Sequence, residues 1–189
     1  MNIRPIGAAL AALHAAPLVL LLSLPSPSRA GTLTGVEVMT STVMQKQQTA
    51  FSGLAARVSL QPLPTVPGFE VLPTIEYWRS TTSVDVYSIK TERRDATLDV
   101  DARYKFPAKG WSPYVGAGLA LHFLSSEVQA PQLGVPDQQH TVTKGGPVLL
   151  GGVDFPLAGS FSSFVEGKYH AVPDDEQFKL NWGLAIAFH

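Results

Sequence analysis

Ala96-Thr97-Leu98-Asp99-Val100-Asp101-Ala102-Arg103-Tyr104-Lys105-Phe106 is apolar at every even position and polar at every odd one. That is the period-2 signature of a strand with two unlike faces. After the turn Pro107-Ala108-Lys109-Gly110 comes Trp111-Ser112-Pro113-Tyr114-Val115-Gly116-Ala117-Gly118-Leu119-Ala120-Leu121-His122-Phe123. Here Val115, Ala117, Leu119, Leu121 and Phe123 share one face, and Tyr114, Gly116, Gly118, Ala120 and His122 the other. A soluble sheet would turn long polar chains to water, whereas this second face is small. A Gly/Ala face suits the crowded interior of a narrow barrel. The continuous apolar face then points outward, and lipid is its natural partner.

The ends of the chain agree with that direction. Arg4 precedes an apolar region around Leu18-Val19-Leu20-Leu21-Leu22, and Ser28-Arg29-Ala30 sets small residues where a signal peptidase reads. Residues 1–30 are expected to be a secretory signal peptide and 31–189 the barrel domain; His14, Pro17, Pro25 and Pro27 argue against a transmembrane helix. Losing Arg4 and Arg29 takes the net charge from −1 to −3, and no basic excess points to nucleic acid. With no cysteine, neither disulfides nor a cysteine-type metal site is available. No later apolar run approaches the roughly 20 residues of a spanning helix, but strands of about 9–11 suffice in a closed barrel.

Eight strands are expected: Thr34–Thr40, Phe51–Leu60, Phe69–Arg79, Ala96–Phe106, Trp111–Phe123, Thr141–Leu157, Ser160–Ala171 and Phe178–Phe188. The polar stretches Ser41–Thr49, Ser80–Arg94, Ser125–Gln139 and Val172–Gln177 read as loops at one end, and Gln61–Gly68, Pro107–Gly110 and Pro156–Gly159 as short turns at the other. Pro147 removes a ladder donor in mid-strand, so a bulge or a late strand start is expected there. The fold class is an all-β, closed, antiparallel, eight-stranded up-and-down transmembrane β-barrel with both termini on the periplasmic side.

Trp111-Ser112-Pro113-Tyr114-Val115-Gly116-Ala117-Gly118-Leu119, Gly151-Gly152-Val153-Asp154-Phe155, Phe164-Val165-Glu166-Gly167-Lys168-Tyr169 and Leu180–Phe188 resemble the small outer-membrane β-barrel family of the OmpA-like and OmpX types. The resemblance implies integral insertion in the bacterial outer membrane after export through the periplasm. Its implied partners are outer-membrane lipids, the outer-membrane assembly machinery and an extracellular ligand met through the loops. Leu184, Ile186 and Phe188 match the C-terminal assembly signal of that family, although here His189 follows the closing aromatic residue.

The inward positions collect Glu37, Glu76, Asp99, Asp101, Asp154 and Glu166 with Arg57, Arg103, Lys105, Lys168 and Lys179. An eight-stranded interior is only wide enough to be filled by side chains, so these charges are expected to pair as a lumenal network. Glu76, Arg103, Glu166 and Lys168 are expected to share partners in it. His122 and His170 also point inward near the loop ends. Barrels that deacylate lipid A carry a serine two residues after their histidine, and here Val172 stands at that position. No catalytic residue, cofactor or metal is therefore assigned, and metal binding by the two histidines is the weaker reading. A structural and surface-interaction role without catalysis is expected. A narrow porin-like channel is the alternative, a lipid A-modifying enzyme the second, and a lipocalin-like soluble barrel a weaker fourth because its interior should be apolar and roomy.

Overall fold

The computed structural model describes residues 32–46, 50–84, 89–130 and 135–188; the expected signal peptide and His189 lie outside them. Eight strands follow one another: β1 (Thr32–Gln45), β2 (Phe51–Gln61), β3 (Phe69–Val84), β4 (Ile89–Lys105), β5 (Ser112–Ala130), β6 (Val135–Ala158), β7 (Phe161–His170) and β8 (Gln177–Ala187). Each pairs antiparallel with its sequence neighbours, and β1 also pairs with β8 from Gly35↔Ala187 to Gln45↔Gln177, closing the barrel. Closure removes the free edges that an exposed sheet would leave, which is what a hydrocarbon solvent demands.

The faces fall as the alternation requires. Leu98, Val100, Val115, Leu119, Leu184 and Ile186 are exposed on the outer wall and Ala102 is half-exposed, while Asp99, Asp101, Arg103 and Gly183 are buried inside and Gly116 and Gly118 share their face. Exposed large apolar side chains occur on the outward rows of all eight strands. A soluble barrel inverts this arrangement, so the wall is that of an integral membrane barrel.

Aromatic residues mark the two rims of the wall. Tyr104, Phe106, Trp111, Phe155, Phe161 and Phe188 are exposed near the short-turn end, and Tyr77, Phe123, Tyr169 and Phe178 near the opposite end. Such rings favour the membrane–water interfaces. Trp111 fluorescence in bilayers is therefore expected to be quenched by probes at headgroup depth and spared by probes at the bilayer centre. Stronger quenching from the centre would displace Trp111 from the girdle.

Two of the short turns lie where expected, whereas Pro156–Ala158 still belong to β6 and the third turn is only Gly159 and Ser160. Gly68 illustrates their constraint: its φ is +84°, and a Cβ there would stand 2.6 Å from the Lys105 carbonyl oxygen. The Lys105 amide donates to the Gly68 carbonyl at 2.8 Å, so the backbones touch at this point.

The loop end differs from the sequence reading. Most of Ser41–Thr49, Ser80–Arg94 and Ser125–Gln139 is strand, with β3 and β4 paired out to Val84↔Ile89 and β5 and β6 out to Ala130↔Val135. Above the lipid neither face must be apolar, so antiparallel backbone pairing continues without the alternation that reveals it lower down.

Pro147 also departs from expectation. It pairs in register with Leu119, and the β5–β6 shift falls between Val128 and Ala130 instead. The Ala171 amide donates to the Pro147 carbonyl at 3.0 Å, so the proline nitrogen faces the same side, where β7 has already ended at His170. The missing donor therefore falls at the very end of the β6–β7 ladder, beyond its last strand pair Val148↔His170, and no bulge is needed.

Candidate functional site

Space in the lumen comes from glycine. A Cβ on Gly118 would lie 2.4 Å from the Val100 carbonyl oxygen and 2.2 Å from Asp101 Oδ1. Gly152 underlies the Tyr114 ring and Gly183 the Phe164 ring, each at 2.6 Å from the Cβ position. The glycines thus admit aromatic rings as well as charges. Leu72, Trp78, Tyr114, Leu124, Val148, Leu150 and Phe164 are all buried inside, so the interior is a mixed apolar and ionic core.

Seven charged residues form a continuous path through the lower lumen. Lys105 Nζ lies 2.6 Å from Asp154 and 3.4 Å from Glu70. Arg103 bonds Glu70 through Nε at 2.7 Å and also bonds Glu37. Arg57 Nε donates to Glu37 at 2.6 Å, and its Nη1 spans both oxygens of Glu166 at 3.0 and 2.9 Å. Glu166 accepts further bonds from Tyr114 at 3.1 Å and Asn181 at 3.0 Å. Arg57 and Arg103 also stack over the Phe164 and Tyr114 rings at 4.9 Å, which adds cation–π attraction where water is scarce. Isolated charges in such a space would each cost several kcal/mol, which is why they occur in hydrogen-bonded chains.

Nearer the loop end the partners change. Lys168 Nζ bonds Asp99 at 2.6 Å and Asp101 at 2.7 Å, and Lys179 Nζ bonds Glu76 at 2.7 Å. Asp95 Oδ2 meets His122 Nδ1 at 2.6 Å, with Thr97 Oγ1 on the same nitrogen at 3.1 Å. His122 Nε2 reaches His170 Nδ1 at 3.0 Å, so the two inward histidines are directly bonded. Val43, Trp78 and Leu124 form a buried apolar cluster with Phe51 and Val142 against it.

All eleven expected lumenal charges lie inside, Lys105 partly open to solvent. They do not form one shared set of direct partners: Glu166 and Arg103 belong to the lower path, whereas Glu76 and Lys168 bond Lys179 and the two aspartates. Asp95, Glu70, Tyr114 and Asn181 complete the site but were absent from the expected network. Asp95 has the parity of Thr97 and Asp99, yet it sits beyond the apolar alternation that set the expected strand boundary. Leu184, Ile186 and Phe188 lie on the outer wall at 48, 41 and 46 % exposure, a row a partner outside the barrel can touch.

On the outer face, beyond the Tyr77–Ala96–Phe123 row, Arg79 and Arg94 both bond Glu92. Burial opposes the Glu92 charge, but these hydrogen bonds prevail and hold its carboxyl below the ordinary carboxylate range.

No family model and no curated protein matches the sequence. Among solved structures, a major outer membrane protein from Thermus thermophilus is similar with a TM-score of 0.60 at 15% identity, over 83% of this chain and 100% of that one. Neisserial surface protein A gives 0.57 at 16% identity, over 82% and 97%. The N-terminal β-barrel domain of Pseudomonas aeruginosa OprF gives 0.54 at 15%, over 82% and 97%. The chain has the eight-stranded fold of these outer-membrane barrels, as the resemblance of its strand motifs implied.

Proposed function

We propose that this is a small integral protein of the bacterial outer membrane with a structural and surface-interaction role, its lumen closed by paired side chains and without catalysis. The observation that carries the reading is the unbroken path from Asp154 through Lys105, Glu70, Arg103, Glu37 and Arg57 to Glu166. Groups bonded across the lumen leave little free cross-section for a solute. The extended β3–β4 and β5–β6 hairpins offer the surface by which an extracellular ligand is met, lipids cover the wall, and the row Leu184, Ile186 and Phe188 serves the assembly machinery.

Purified protein in planar bilayers is expected to give little or no steady conductance. Large, stable, voltage-independent steps would replace the closed barrel with the channel reading. Unaltered lipid A mass in cells overproducing the protein is the corresponding expectation against an enzyme.

A further inference from the structure

We propose that the upper lumen binds one divalent transition-metal ion between Glu76 on β3, Asp99 on β4 and His170 on β7. The site goes beyond the structural role above and does not depend on whether the barrel conducts. The three residues are buried, at 5, 2 and 0 % exposure, and one ligand atom from each lies within 4.8 Å of the others. Each also carries an atom without a hydrogen-bond partner: Glu76 Oε1, Asp99 Oδ1 and His170 Nε2. Their remaining side-chain N and O atoms are committed, to Lys179, Lys168 and His122. Buried polar atoms are normally satisfied, so three bare ones on a mutually adjacent triad point to a missing shared partner.

The bonding chain also identifies the free histidine nitrogen. An ionised Asp95 only accepts, so in neutral rings His122 donates from Nδ1 and accepts at Nε2. His170 then donates from Nδ1, and its lone pair is left on Nε2, the atom without a partner. A metal-bound histidine is held in the same way, by an acceptor on its second nitrogen that fixes tautomer and ring orientation. Here His122, itself anchored by Asp95, is that acceptor.

Charge favours the same conclusion. Glu76, Asp95, Asp99 and Asp101 bring four carboxylates to this layer, against the ammonium groups of Lys168 and Lys179. One divalent cation would offset the two uncompensated charges of a buried space where such charges are costly. One imidazole with two carboxylates suits zinc, cobalt or manganese, whereas calcium and magnesium favour oxygen-only shells.

The test uses the whole barrel refolded into detergent, so that the ion enters before the lumen closes. Refolding is done with zinc, with magnesium or with chelator; after desalting, metal content is read by mass spectrometry and the urea midpoint is measured. The expected result is one zinc retained per barrel and a midpoint above that of the chelator sample, with no such rise in magnesium. Glu76→Gln and His170→Gln are expected to weaken zinc retention about tenfold or more, while His140→Gln, at an exposed position of β6, leaves it unchanged. Heat-modifiable mobility confirms that each variant has folded, and Asp99→Asn replaces either one that has not. A folded wild-type barrel that retains no zinc overturns the site. Zinc retention that persists through Glu76→Gln and Asp99→Asn does so equally, because the metal would then sit elsewhere.

Discussion

Replacing Glu166 with alanine lowers the urea midpoint of the detergent-folded barrel by the equivalent of about 3–5 kcal/mol, the usual cost of stranding one member of a buried pair. Glu166 is fully buried and receives both bonds of Arg57 Nη1 together with those of Tyr114 and Asn181. Its removal leaves three donors without that acceptor, and Arg57 Nη2 already lacks a partner. Exposed pairs contribute only about 0–1 kcal/mol, so Glu176→Ala, at an exposed loop position, is the control that should barely move. Glu37→Ala should combine non-additively with Glu166→Ala, because both carboxylates hold Arg57. Glu76→Ala should combine more nearly additively, since its direct partner is Lys179. A Glu166→Ala shift no larger than that of Glu176→Ala would mean a wet, wide lumen and would favour the channel.

The second large effect concerns space. Gly118→Val is expected to destabilise the barrel by at least the 1–3 kcal/mol typical of overpacking, roughly speaking, and to slow its folding into micelles or bilayers. The Cβ position lies 2.4 Å from the Val100 carbonyl oxygen and 2.7 Å from the Asp101 Cα, both backbone atoms of the paired strand β4. A flexible side chain could swing away, but here β4 must itself move, and with it Asp101 and its bond to Lys168. Gly110→Ala meets nothing within 4 Å, yet its φ of +79° strains it, so it serves as a backbone-only comparison with a smaller loss. The fraction migrating as the heat-modifiable folded form measures both. Equal folded yields for wild type and Gly118→Val would refute the close β4–β5 approach.

Period-2 alternation is a local property, and wherever one face meets lipid and the other the lumen it is fixed residue by residue. The sequence therefore determined the eight strands, the sidedness of Leu98 against Asp99, the short-turn end and the inward parity of eleven lumenal charges, but not the parts played by Glu70 and Asp95. It could not determine the upper hairpins. Ser80, Thr81, Arg93 and Arg94 stay in the β3–β4 ladder in a region where no apolar solvent imposes a pattern. Nor could it determine who bonds whom. Arg57 and Glu166 are separated by 109 positions and meet only because the closed sheet brings β2 and β7 across one narrow lumen. The tolerated placement of Pro147 likewise depends on its lying at the end of the β6–β7 ladder, where β7 stops. Partner choice, and the convergence of Glu76, Asp99 and His170, belong to the tertiary structure because register and closure set those distances, and neither is written in any one strand.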